Sequence, residues 1–193
     1  MAAWRRAVTR SIVSFVALLF VLQSAFAQEA LTPDQQEQFL KNAKIIRTRS
    51  ASKGVTNTLR ATLSDGALTH DASIQTIDES KQVFQSKNGT EFNFKDTWRY
   101  NVAAYRLNRV IQMGKIPVSI ERAHNGKVGS FTWWIDDVLM DEAERLKTKA
   151  AVPDTDTWNR QMWQVRVFDQ LVYNRSEEHT AALQSLAYLV CRL

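Results

Sequence analysis

Cysteine is all but absent from this chain: its 193 residues include one, Cys191, close to the C-terminus. Residues 1–190 therefore hold no disulfide framework and no thiolate for catalysis or metal binding. Long apolar runs are missing too. The most apolar stretch, residues 12–22, is shorter than the ~20 residues that span a bilayer comfortably. No internal repeat or low-complexity segment is present. The formal net charge of +5 invites a nucleic-acid reading, which a partition of the charges removes. Arg5, Arg6 and Arg10 lie in the first 27 residues without an acid, and Arg175 and Arg192 offset Glu177 and Glu178 in the last 19. Residues 28–174 keep 20 basic and 18 acidic side chains, a net of +2. No basic stripe with interleaved aromatics remains there, so a nucleic-acid partner is not expected.

What is present begins with the three parts of a secretory signal over residues 1–27: the arginines, the apolar run, and Ala25-Phe26-Ala27 as a small-residue cleavage site. Cleavage would leave an exported protein, periplasmic or secreted, starting at Gln28 and free of the membrane. Residues 28–43 then read as an N-terminal helical segment, with Thr32 as N-cap, Pro33 at the first helical position and acids in the first turn.

From there the period changes to two. Residues 55–64 alternate Val55, Leu59, Ala61 and Leu63 with polar partners, Asp65-Gly66 marks a hairpin, and residues 67–78 place Leu68, His70, Ala72, Ile74 and Thr76 on one side. Asn88-Gly89 signals a further type I′ hairpin, so the first half is expected to be an antiparallel meander. Asn88-Gly89-Thr90 is also a glycosylation sequon, which the turn already explains. Asp96 and Thr97 are placed to cap a helix starting near Trp98, with Tyr100, Ala103, Ala104, Leu107 and Ile111 as its apolar face. Two strands follow over residues 116–122 and 127–135. Asp136 or Asp137 caps a helix using Leu139, Ala143 and Leu146, and a last helix over residues 156–174 uses Trp158, Met162, Val165, Phe168 and Leu171 or Val172.

The fold class is α+β: an antiparallel sheet of about five strands with a packed helix, followed by further helices. This order, together with two strings, resembles the small lobe of an atypical protein-kinase-like fold of the HipA, secretory-pathway kinase and phosphoinositide-kinase-like groups. The strings are YNVAAYRLNRVIQMGKIPVSIER (residues 100–122), which resembles the αC helix and the strand after it, and VRVFDQLVYN (residues 165–174), which resembles the helix leading into the catalytic loop. The resemblance implies a kinase-like small lobe over residues 44–135 and the start of a large lobe over 136–174. It implies ATP and Mg²⁺ as cofactors, with the nucleotide and an unidentified phosphate acceptor as partners. Such a lobe supplies a glycine-bearing loop over the phosphates and a Lys held by a Glu. Lys53-Gly54 stands where that loop is expected. Spacing puts Gln75 at the Lys position and Asn101 at the Glu position, so two neutral amides replace the ion pair. They can hydrogen-bond and touch a phosphate without supplying charge. Three readings stay open: an altered site with Lys53 or Arg99 as the cation, a pseudokinase, or a different register of the match. Trp134, in Trp133-Trp134-Ile135-Asp136, flanks the base in this reading, against the alternative that both Trp side chains pack structurally.

Residues 175–193, RSEEHTAALQSLAYLVCRL, resemble the translation of a common short-read sequencing adapter and are read as read-through. The catalytic carboxylates that the family places after the last helix are then missing. The expected function is that of a fragment of an exported kinase-like phosphotransferase, inactive as it stands and with no catalytic residue of its own. The alternative is a secreted pseudokinase or a protein- or polymer-binding module. His70-Asp71 lacks a companion nucleophile and reads as structural. Asp136, Asp137, Asp141, Glu142 and Glu144 read as a solvated face at a helix start rather than a metal site.

Overall fold

The computed structural model describes residues 31–51, 58–86, 89–136, 138–140, 142–152 and 154–172. Residues 1–27, Lys53, Gly54, Asn88 and residues 175–193 lie outside them. The chain divides into two compact units between Thr32 and Pro33, and every element below belongs to the second.

Helix α1 (Pro33–Asn42) opens on the proline, carries Asp34 in its first turn and Lys41 in its last, and buries Phe39 and Leu40. Strand β1 (Lys44–Ser50) follows after one residue. The sequence did not announce it: nearly every side chain is exposed, and Lys44, Arg47 and Arg49 give this edge strand the charges that discourage further pairing. Strands β2 (Leu59–Ser64) and β3 (Thr69–Gln75) form the expected hairpin. Gly66 takes φ +96°, and the Asp65 carboxylate accepts from the Ala67 and Leu68 N–H groups at 2.9 and 2.8 Å.

At that point the expected meander ends. Strands β4 (Asp78–Ser86) and β5 (Gly89–Thr97) pair only with each other, while β6 (Ser119–His124) and β7 (Lys127–Trp133) return to the main sheet, whose antiparallel order is β1-β2-β3-β7-β6. The physical reason lies in the side-chain rows. On the core face Leu59 pairs with Ile74, Ala61 with Ala72 and Leu63 with His70; Phe131 and Trp133 of β7 extend the row beside Ile74 and Ala72, and Ile120 of β6 follows beside Phe131. Strands β4 and β5 have no comparable apolar row, and their cross-strand pair Val83 and Phe92 stays exposed. Phe39, Leu40, Ala43 and Tyr105 complete the core, in which Leu63, Ile74 and Phe131 are essentially fully buried, each stabilising by roughly 1.5–3 kcal/mol.

Helix α2 (Arg99–Val110) starts one residue later than expected, with Trp98 as N-cap and the Thr97 hydroxyl accepting from Arg99 N–H at 3.4 Å. Its buried face is also different: Val102, Tyr105 and Asn108 point inward, whereas Tyr100 and Ile111 are exposed. Polar anchoring decides the rotation. The Tyr105 hydroxyl donates to Glu37, and Asn108 Oδ1 accepts from Lys115 and Ile116 N–H, so these buried groups are satisfied. Helix α3 (Glu142–Thr148) begins later than expected and leaves Leu139 and Leu146 exposed. Helix α4 (Thr155–Leu171) is capped by Asp154, which accepts from Asp156 and Thr157 N–H at 3.1 and 3.3 Å. Trp158, Val165 and Phe168 are buried as the spacing suggests; Leu171 is exposed.

Candidate functional site

Opposite the core face, strand alternation collects Arg60 and Thr62 from β2, Asp71, Ser73 and Gln75 from β3, Ser130 and Thr132 from β7, and Ser119 from β6. Ser119, Ser130 and Thr132 are buried, and the hydroxyls of Ser119 and Thr132 meet at 2.9 Å. Two constellations stand on this face.

The first lies where β3 ends. Trp98 N–H donates to the Ile77 carbonyl at 2.8 Å, which closes the base of the β4–β5 hairpin and returns the chain to β3 as α2 begins. The first turn of α2 thereby presents Asn101, whose amide nitrogen donates to Gln75 Oε1 at 2.6 Å and to Ser130 Oγ at 3.0 Å. Beside Ser130, Gly129 lets the end of β3 lie close against β7: a Cβ there would stand 2.4 Å from the Gln75 backbone carbonyl oxygen. The structure thus joins the two amides that the sequence singled out, and adds Ser130. Lys53 and Gly54 lie outside the described residues; of the residues on either side, Ala51 N–H donates to the Thr58 carbonyl at 2.9 Å, and Leu59 pairs with Ile74, next to Gln75. Arg99, the other cation considered, is ion-paired to Asp78 and lies over the Trp98 ring at 4.6 Å.

The second constellation centres on Asp71, about 13 Å back along β3 from Gln75. Arg60 Nε donates to Asp71 Oδ2 at 2.5 Å, and the Thr62 hydroxyl donates to Oδ1 at 2.7 Å. Burial alone raises this carboxyl's pKa, yet the bonds from Thr62 and Arg60, with the positive charges of Arg60 and Arg49, bring it below the usual carboxylate value. Trp134 N–H donates to the Asp71 carbonyl at 3.1 Å, and the Arg60 guanidinium lies over the Trp134 ring at 4.1 Å. On the core side, Trp133 stacks on His70 at 3.7 Å and meets Phe39 edge-on. His70 Nε2 lies 2.9 Å from Asp136 Oδ2, so His70 ties the end of β7 to β3. Trp133 and Trp134 therefore serve opposite faces of the sheet.

Arg60, Thr62 and Ser130 were not singled out from the sequence. The alternation in residues 55–64 places the first two on the polar face, but their link to Asp71 needs the register. Among the described residues no three His, Cys, Asp or Glu side chains converge to hold a metal ion. No helix among them is long and apolar enough to cross a membrane. Comparison of the chain with protein-family models, curated proteins and solved structures finds no match.

Proposed function

We propose that residues 44–135 act as the small lobe of an exported, atypical kinase-like phosphotransferase, whose polar sheet face covers a nucleotide and whose Gln75–Asn101 pair replaces the Lys–Glu ion pair. The observation that carries this reading is the 2.6 Å bond between Asn101 and Gln75, which links helix and third strand at the two positions the resemblance marks. The sheet order supports it, since β7 beside β3 brings α2 to the strand end that carries Gln75.

Phosphoryl transfer depends on positioning and charge neutralisation. An amide pair donates N–H groups to phosphate oxygens and orients them, but neutralises nothing. The role of this lobe is accordingly to cover and align. The Mg²⁺ that such an enzyme uses would be held by the nucleotide phosphates together with one or two carboxylates.

The neutrality of the Gln75–Asn101 pair favours a second reading, a secreted pseudokinase that binds without transferring phosphate. Thermal unfolding of the full gene product with ATP, with and without Mg²⁺, separates the two. Stabilisation that requires Mg²⁺ is expected for the phosphotransferase. Equal stabilisation with excess chelator supports the pseudokinase, and no shift under either condition removes the nucleotide role.

A further inference from the structure

We propose that Arg60 is a gate on the base-flanking face of Trp134, closed in this structure and displaced when a nucleotide enters; the proposal rests on the nucleotide-covering role given to the sheet face above. The Arg60 guanidinium lies 4.1 Å from the Trp134 ring centre, the position in which a cation caps an indole. A base stacking on that face needs the same space. Arg60 is also fixed from behind. Asp71 Oδ2 accepts from its Nε at 2.5 Å, Asp71 Oδ1 is held by Thr62 at 2.7 Å, and the Asp71 carbonyl accepts from Trp134 N–H at 3.1 Å.

Both partners of the stack are therefore positioned by one residue, Asp71, and each contact keeps the other in register. The Arg60 and Asp71 side chains are only 27% and 17% exposed, which distinguishes them from a solvated surface pair that exchanges freely with water. Opening needs a rotation of the Arg60 side chain, which belongs to β2, and no movement of the Trp134 backbone. Departure of the guanidinium frees the indole face for a planar ring such as a nucleobase, while Thr62 still holds the Asp71 side chain.

The test uses the full chain and ATP as probe, with affinity read by thermal shift and by tryptophan fluorescence. The double variant Arg60→Gln/Asp71→Asn removes both charges together and leaves no buried carboxylate uncompensated. It is expected to bind ATP about tenfold more tightly than the parent, the factor that a cation–π stack of ordinary strength withholds. Equal or weaker binding by the variant overturns the gate and leaves the nucleotide reading standing. If neither protein binds ATP, the nucleotide reading fails and the gate is judged without ligand, by acrylamide quenching of Trp134 taken as the difference between each protein and its Trp134→Phe counterpart. Quenching that rises in the double variant supports a ring covered by Arg60, and unchanged quenching overturns it. Should the double variant not fold, Arg60→Gln, which removes the cation from the ring and keeps an amide donor for Asp71, takes its place in both measurements.

Discussion

Asn101 donates from one amide nitrogen to two acceptors on two strands, so its loss is felt on both. Asn101→Ala removes the donor to the fully buried Ser130 hydroxyl and to Gln75 Oε1, and is expected to lower unfolding free energy by about 1–3 kcal/mol in urea titration. Gly129→Ala acts on the same site from below. Its Cβ meets the Gln75 carbonyl oxygen and Thr76 Cγ2 at 2.4 and 2.8 Å, and because the nearest atom is backbone, the end of β3 must shift. A loss of about 1–3 kcal/mol is expected, with changed amide shifts at Asn101 in NMR spectra. Gln75 and Asn101 were legible as residues because the kinase-like resemblance marks their two positions. Ser130 was not, since nothing local marks a serine that becomes buried only when β7 enters beside β3.

Elements were legible where one physical signal dominates. Proline, acid and apolar spacing mark α1, and alternation with Asp65-Gly66 marks β2 and β3. Where a tertiary contact overrides the pattern, the sequence points elsewhere. Helix α2 turns Asn108 and Tyr105 inward because their polar groups find partners, against an apolar stripe that suggested another face. Helix α1 shows the same dependence at its C-terminal end, where Arg122 donates to the Leu40 and Ala43 carbonyls at 2.6 and 2.8 Å while lying over Phe131. Burial holds the guanidinium below its ordinary pKa, yet it stays the cap of carbonyls that α1 leaves open. Arg122→Met, which keeps much of the packing and removes the donors, is expected to cost about 1.5–3 kcal/mol. Hydrogen exchange should show α1 amides deprotected more than those of β2 and β3.

At the scale of the molecule, the carboxylates set how folding responds to acid. In Glu37, burial opposes ionisation but is outweighed by the Tyr105 and Arg109 bonds and the charges of Lys41 and Arg109; Asp71 is lowered likewise by Thr62 and Arg60. A carboxyl whose folded pKa lies below its unfolded one contributes stability that is complete above the unfolded value and is lost as pH falls through the folded one. Urea midpoints are therefore expected to hold through neutral pH and to decline below about pH 4. Asp96 carries the opposite sign. Burial, and then Glu79 opposite it, raise its pKa, so its ionised form weakens the fold at neutral pH and protonation relieves it. Asp96→Asn is expected to raise the midpoint at pH 7, and the gain should shrink as pH falls through the raised titration of Asp96.

The β4–β5 hairpin is sealed at its foot. Asp78 pairs with Thr97, Trp98 N–H reaches the Ile77 carbonyl, and Arg99 is ion-paired to Asp78. The chain therefore leaves the main sheet and rejoins it at nearly one point, which makes everything between those residues a cassette. Its length and sequence are free to drift, or to be exchanged for another module, while the ends of β3 and α2 stay where they are. Excising residues 80–95 and bridging the gap with a short glycine-containing turn should leave cooperative unfolding and the Asn101 amide signal in place, and loss of either would show that the cassette also supports the sheet.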